Sequence, residues 1–311
     1  FPTRRSSDLA FKGLPACEEP IGESWELSAM PGHESVVVDG PDKGLTLTEL
    51  VQRYGAQLVG ENVYRRYGDQ FPLLIKLIDA RRDLSIQVHP NDELAMRLHG
   101  CRGKTEMWYV LDTDEGAMIT TGFKRSLTPE EFDCHLEDGT LLQVLNTVSS
   151  HPGDVFYIPS GQIHAIRAGN LLVEVQQSCD ITYRVFDYNR RDANGNLREL
   201  HTEQAREALD YAARDGLVSN GGDEKGVKRL LSCPFFEVRR IAVEDSLALE
   251  MPRGHSFVAV MCIEGAATLQ ADGASPVALC RGETALIPAI AERVVLTGPA
   301  TLLTATVPDE S

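Results

Sequence analysis

The 311-residue chain has few aromatic residues, a deficit of positive charge and no long apolar run. Basic residues number 30 against 46 acidic ones, a net charge of -16. That balance argues against a general nucleic-acid binder and against docking on anionic membranes, because both need cations facing phosphate. A small anionic substrate stays compatible with it, provided a local cationic pocket exists. The longest apolar stretches, around Phe71–Leu74 and Phe257–Ile263, fall far short of the roughly 20 residues that span a bilayer. No basic-then-apolar leader is visible near the start. The seven cysteines form no Cys-x-x-Cys pair, and their odd number leaves no closed disulfide set. Reduced, mostly buried thiols and a cytoplasmic setting are expected, and a thiolate zinc site is not. Hydrophobic residues reach 42%, enough for real cores.

Residues 1–9 (FPTRRSSDL) lack an initiating Met and any periodicity, and are expected to be a non-native segment. From Ile21 onward the chain reads as short strands, among them 35–38, 73–78, 84–88, 107–111, 155–158, 171–175 and 182–185, bounded by Gly, Pro, Asp and Asn. Helices are expected over 46–59, 91–98, 128–132, part of 138–147, and 202–213. The fold class is therefore mostly β, a sandwich or barrel. The boundaries read as a first domain over 10–216 with a helical insertion at about 124–150, a Gly-rich linker over 217–228, and a smaller β-domain over 229–311. The two β-regions share a pattern: Gly153-Asp-Val-Phe-Tyr-Ile-Pro159 resembles Gly282-Glu-Thr-Ala-Leu-Ile-Pro288. Beyond the shared stretch, Gly161 and His164 are replaced by Ile290 and Arg293, so only the first copy is expected to keep a site.

Gly153-x5-Pro159-x-Gly161-x2-His164 places a histidine at a fixed distance from tight turns, and it resembles the second signature of the cupin family of small jelly-roll barrels. Upstream, Gln87 and His89 alternate with Ile86 and Val88, so a strand there carries a polar face opposite an apolar one. Lys104 and Glu106 share a face in the same way. Two neutral imidazoles and a carboxylate make a borderline-hard site that suits zinc, with Fe(II) or Mn(II) open to the same ligands. Gln87 offers a carbonyl oxygen as a fourth donor.

Five ordered motifs, 71–79, 85–90, 103–109, 159–164 and 182–188, resemble the short form of the type I mannose-6-phosphate isomerase family. The resemblance implies two cupin-like jelly-roll β-units with a small helical insertion, and one Zn2+ per chain on Gln87, His89, Glu106 and His164. It implies an active-site arginine at Arg184 and a lysine near the metal at Lys104. It also implies interconversion of mannose 6-phosphate and fructose 6-phosphate through a cis-enediol. The Trp-Gly-Gly strand that opens family members has no counterpart here, although Ile21–Ser28 matches the segment that follows it. Trp25, Glu174 and Asp187 are candidates for substrate binding, with Asp187 expected to orient Arg184 and an outer, solvated face the alternative for Glu174. Arg190 and Arg191 read as a solvated loop. The partner expected is a small sugar phosphate, with no nucleic acid or membrane, for a monomer or weak homodimer. The competing readings are an Fe(II) cupin dioxygenase, disfavoured because Gln-x-His stands where His-x-His is usual, and a non-catalytic sugar-binding module.

Overall fold

The computed structural model describes residues 11–13, 22–191, 195–220, 222, 225–251 and 254–309; the expected non-native segment 1–9 lies outside them. The chain forms two compact units. No helix among the described residues is long and apolar enough to cross a membrane.

The first unit, Ile78–Asn220, is a two-sheet sandwich. One sheet places β9 (Asn170–Gln177), β4 (Glu106–Thr113), β7 (Asp154–Ile158) and β11 (Leu217–Asn220) side by side. The other runs in the order β10 (Tyr183–Phe186), β3 (Ile86–Val88), β8 (His164–Ile166), β5 (Met118–Phe123) and β6 (Leu145–Ser149). Trp108, Val110, Phe156, Ile158 and Leu172 of the first sheet pack against Ile119 and Ile166 of the second. Each fully buried side chain of this kind contributes about 1.5–3 kcal/mol.

A helical layer covers the outer face of the second sheet. It comprises α4 (Asp92–His99), α5 (Pro129–Glu137), α6 (Leu141–Val144) and α7 (Thr202–Ala208). Leu94, Phe132, Leu141 and Ala205 of these helices pack on Ile86, Val88, Ala165, Tyr183 and Val185 of the strands. The apolar face of the Gln87–His89 strand is thus spoken for, and its polar face is turned to the interior. The start of α5 is set locally: Thr128 Oγ1 accepts from Glu131 N at 3.2 Å, and Thr128 N donates to Glu131 Oε2 at 2.8 Å. The insertion at about 124–150 is helical only as far as Val144, because Leu145–Ser149 pairs with β5 as a strand. The helix expected through Ala213 stops at Ala208.

The second unit combines Glu23–Leu77 with residues 222–309. Its core is a curled sheet around the long β15 (Val258–Ala271). The first half of β15 pairs with β17 (Thr284–Ile287) and β19 (Ala300–Thr306), and its second half with β16 (Val277–Cys280) and β18 (Arg293–Thr297). β12 (Gly226–Ser232) and β13 (Glu237–Val243) extend one edge, and β14 (Ser246–Glu250) the other. Both cupin-like β-units expected from the sequence are present.

The boundaries differ from the sequence reading. The helix expected over 46–59 is broken by Gly55 into α1 (Leu47–Tyr54) and α2 (Ala56–Val59), and α3 (Glu61–Tyr67) follows. This helical stretch belongs with the C-terminal strands: Ala289 N donates to Leu58 O at 2.8 Å and Phe257 N to Val59 O at 3.2 Å, while the Phe71 ring packs on Phe257. The expected linker 217–228 holds β11 at one end and the start of β12 at the other, because each finds an antiparallel partner, in β7 and β13. Residues 35–38 form only an isolated bridge, Val36 to Thr46.

Candidate metal centre

Three strands deliver the interior cluster. β3 carries Gln87, with His89 just past its end; β8 opens with His164; and β4 opens with Glu106, with Lys104 just before it. The register sets one row across the second sheet, Arg184–Gln87–His164–Thr121, all directly opposite one another. Paired residues share a face, so Arg184 emerges on the same side as the ligand candidates. On the other sheet Glu106 lies opposite Gln176 and Ile158, and Trp108 opposite Glu174 and Phe156.

Two glycines make the convergence possible. Gly161 has φ +86 and donates its N–H to His89 O at 2.9 Å, tying the loop before His164 to the end of β3. At Gly103 a Cβ would stand 2.5 Å from Asn91 C, so only glycine lets the chain approach closely enough for Lys104 N to donate to Pro90 O at 3.0 Å.

His89, Glu106 and His164 are buried, and their donor atoms all lie within 4.8 Å of one another. His89 Nε2 is 3.4 Å from Glu106 Oε2, and His164 Nε2 is 3.4 Å from Glu106 Oε1. The other ring nitrogens face backbone carbonyls: His89 Nδ1 lies 3.0 Å from Ile181 O, and His164 Nδ1 2.8 Å from Gln162 O. Those acceptors hold the protons on Nδ1 and leave both Nε2 lone pairs aimed at the cluster, the arrangement metal-binding histidines use.

The electrostatics agree. Burial, followed by the charge of Lys104, lowers the His89 pKa to about 3, and burial lowers that of His164, so both rings are neutral. Burial works against the charged form of Glu106, but Lys104 and the two histidines outweigh it and hold the carboxyl well below its usual range. Lys104 Nζ lies 2.7 Å from Glu106 Oε2 and 3.0 Å from His89 Nε2. Burial opposes its charge too, but Glu106 and Glu174 raise its pKa above the usual value.

These residues fit a divalent ion. A tetrahedral ion with N/O bonds of about 2.0–2.2 Å keeps its donors roughly 3.3–3.6 Å apart, and the two histidine–carboxylate separations fall there. Glu106 Oε1 is buried with no hydrogen-bond partner among the described residues, which a metal would supply. Gln87 adjoins the cluster through Nε2, 3.4 Å from His164 Nε2, while its Oε1 accepts from Ser85 Oγ at 3.3 Å. Rotating the amide brings the oxygen round as donor.

The remaining candidates are placed as follows. Glu174 is buried, and its Oε2 accepts the indole N–H of Trp108 at 2.9 Å, which overturns the solvated-face alternative. Half-buried Arg184 donates to Glu199 O at 2.8 Å. Burial, then the neighbouring Arg198 cation, lowers its pKa. Asp187 is buried and takes Arg190 and, at 3.5 Å, Arg198 as ion-pair partners, where orientation of Arg184 was expected of it. Arg190 is not a solvated side chain: it also donates to Asp83 O at 2.6 Å. Arg191 is exposed, as expected. Trp25 sits in the second unit, 5.0 Å from Lys76 Nζ and donating to Glu23 Oε1 at 3.2 Å. Arg198, Gln176 and Trp108 escaped the sequence reading. Gln176 was within reach, since it shares strand parity with Glu174, but Arg198 carries no local signal.

Two family models match the chain: the type I phosphomannose isomerase catalytic domain over residues 6–128, and the mannose-6-phosphate isomerase cupin domain over residues 227–307. Mannose-6-phosphate isomerase ManA of Bacillus subtilis is 38% identical over 261 residues, covering 83% of this chain and 80% of that protein. The mannose-6-phosphate isomerase of Streptococcus mutans is 37% identical over 274 residues, covering 87% and 83%. The crystal structure of the Bacillus subtilis mannose 6-phosphate isomerase superposes with a TM-score of 0.84 at 34% identity, over 96% of this chain and 93% of that one. A zinc-bound mannose 6-phosphate isomerase structure, at 16% identity, shares the fold with a TM-score of 0.77 over 97% and 95%.

Proposed function

The chain belongs to the type I mannose-6-phosphate isomerase family, and from that footing we propose that it interconverts mannose 6-phosphate and fructose 6-phosphate, with one zinc held by Gln87, His89, Glu106 and His164. The observation that carries the reading is the buried convergence of two neutral imidazoles and one carboxylate beside a charged lysine.

The reaction moves a proton between C2 and C1 of the open-chain sugar. That C–H proton is too weak an acid to leave unaided, and zinc, when bound, offsets negative charge developing on the neighbouring oxygens. The chain's own groups do the rest. Lys104 Nζ is a fixed cation with protons to donate, suited to ring opening and to steadying a developing oxyanion. Arg184, always charged, is a clamp for the phosphate or the enediolate and not a base. Asp187 positions the arginines beside it. Glu174 lies in the same buried interior, where it counters the charge of Lys104 and bonds Trp108. Trp108, buried with Phe156 and edge-on to the ring of His164, gives the cluster an apolar flank that excludes water. The cationic group Arg184, Arg190 and Arg198 answers the objection raised by the net charge of -16, since attraction of an anion is decided locally. The described cysteines are all free, which fits cytoplasmic residence, and we take the chain to act as a monomer or weak homodimer.

The test is a coupled isomerase assay alongside metal analysis. Turnover of mannose 6-phosphate with zinc near one per chain, lost to a chelator and restored by zinc, is expected. Stoichiometric zinc without turnover of any hexose phosphate would instead favour a sugar-binding module.

A further inference from the structure

His201 stands at the N-cap position of α7. Serine, threonine, asparagine or aspartate is the usual choice there, because its side-chain oxygen meets a free N–H of the first turn. The His201 side chain makes no such bond. It turns to β10 instead: His201 Nδ1 accepts from Arg184 N at 3.2 Å, and His201 N donates to Arg184 O at 2.8 Å. The acceptor role of Nδ1 leaves the ring proton on Nε2.

β10 ends its sheet, with β3 as its only strand partner among the described residues. An edge strand turns a row of N–H and C=O groups away from its neighbour. At Arg184 both of those outward groups are met by this one histidine. The chain leading to His201 is fastened to β10 and the turn after it at further points. Leu197 bridges Arg191, Arg198 lies 3.5 Å from Asp187, and Glu199 O accepts from Arg184 Nη1 at 2.8 Å. Arg184 is thus held at its main chain and at one end of its guanidinium. Its Nε is buried and has no hydrogen-bond partner among the described residues, which leaves a desolvated, charged donor for an anion.

We propose that His201 is a positioning residue, which pins the backbone of Arg184 and so aims its guanidinium at the anionic end of the substrate. The identity of the substrate rests on the isomerase reading; the tether does not. His201 touches neither substrate nor metal and acts through Arg184 alone. The anionic end of a sugar phosphate keeps its charge throughout the reaction, so an arginine held on it binds ground state and transition state alike. Loss of such uniform binding raises KM and leaves kcat little changed. The site then owes its aim to a residue on the outer edge of the sheet, on the chain segment that follows β10.

The test compares the zinc-loaded protein with His201→Ala, His201→Ser and His201→Asn. Asparagine carries Oδ1 as many bonds from Cα as histidine carries Nδ1, so it offers Arg184 N the same acceptor. Serine caps a helix as well as asparagine does but ends one bond short of that position. Kinetics on mannose 6-phosphate are read beside hydrogen exchange of the Arg184 amide, zinc content and thermal unfolding. Alanine and serine are expected to expose the Arg184 amide and to raise KM about tenfold, below the roughly 100-fold that a misplacement of about 1 Å costs. Zinc content and kcat change little, and asparagine restores both amide protection and KM. Serine carries the comparison should the alanine variant not fold. Loss of a helix cap alone would spare serine, so a serine variant with unchanged KM overturns the proposal. So does an asparagine variant that protects the amide yet keeps the raised KM, or one that leaves the amide open and does not share the KM of alanine. Absence of turnover on any hexose phosphate in the unmutated protein sinks the isomerase reading instead. Fructose 6-phosphate affinity by calorimetry, set against amide protection across the same four proteins, then decides the tether alone.

Discussion

The two β-units build the same turn and fill their interiors differently. Gly153 and Gly282 have φ +90 and +84, and each donates to a neighbouring strand at 2.8 Å, to Val110 O and Cys262 O. Asp154 N bonds His151 O and Glu283 N bonds Cys280 O, both at 3.0 Å. The acidic side chains return the bond, Asp154 Oδ2 from His151 N at 2.8 Å and Glu283 Oε2 from Cys280 N at 2.7 Å. After the proline, Gln162 N bonds Pro159 O at 3.1 Å and Ala291 N bonds Pro288 O at 3.0 Å. The sequence match is therefore a structural repeat down to individual hydrogen bonds. Its copies part only where chemistry begins. His164 is buried against Glu106, whereas Arg293 is exposed, and the second interior is closed with Val260, Leu269, Ile287, Leu296 and Leu302. A strand-and-turn frame specifies the fold; a few inward residues specify whether it holds an ion.

The sharpest way to break this contrast is to remove the histidine and its counterpart in turn. His164→Ala is expected to lower zinc affinity and turnover by at least about 100-fold, the upper end of what losing only a ligand's hydrogen-bond partner costs. Arg293→Ala, at an exposed position, is expected to leave both unchanged and to alter stability by less than about 0.5 kcal/mol. Metal analysis, kinetics and thermal unfolding of the two variants check this. A metal-replete, active His164→Ala would end the distinction between the units.

Acid probes the interiors without mutation. In the metal-free protein His89 has its pKa lowered from 6.5 to about 3, so between those values the unfolded chain binds a proton that the folded one refuses. Stability is then fully present above pH 6.5 and is lost as pH falls toward 3, by up to about 1.4 kcal/mol per pH unit. The depressed Glu106 pKa acts in the same direction. Among the described residues the second unit buries no histidine. Hydrogen exchange at pH 7 and pH 5, corrected for intrinsic rates, should show β3 and β8 losing protection while β15 and β19 keep theirs. Equal losses in both would mean that the buried cluster is not the source.

What could be read from the sequence was what local geometry encodes. Period two put Gln87 and His89 on one side and Ile86 and Val88 on the other, and the turn glycines fixed the approach to His164. Alternation gives parity but not which side is inside, so Glu174 stayed ambiguous until the packing of Trp108 was known. Long-range docking left no trace either. Leu58 and Val59 find their hydrogen-bond partners in residues more than a hundred positions away, at Ala289 and Phe257, so the stretch 47–67 was assigned to the wrong unit. Arg198 pairs with Asp187 at a sequence separation that no spacing rule describes.

The mildest test lies in the loop where the copies first diverge. Gly161 holds φ +86, and a Cβ there would stand 3.0 Å from Ala208 O and 3.4 Å from Asp210 N. Gly161→Ala should destabilise the protein by about 1–3 kcal/mol through backbone strain, and should weaken zinc binding because Gly161 N ties this loop to His89 O. Ile290 occupies the equivalent place with 65% of its surface exposed and no positive φ. Ile290→Ala is therefore expected to shift stability by no more than about 0.5 kcal/mol and to leave zinc binding untouched. Chemical denaturation of both variants, with zinc titration of the first, measures the gap. Only the loop that feeds a ligand must hold its backbone in a conformation most residues avoid, so the gap is what keeping a site adds to the constraints of keeping a fold.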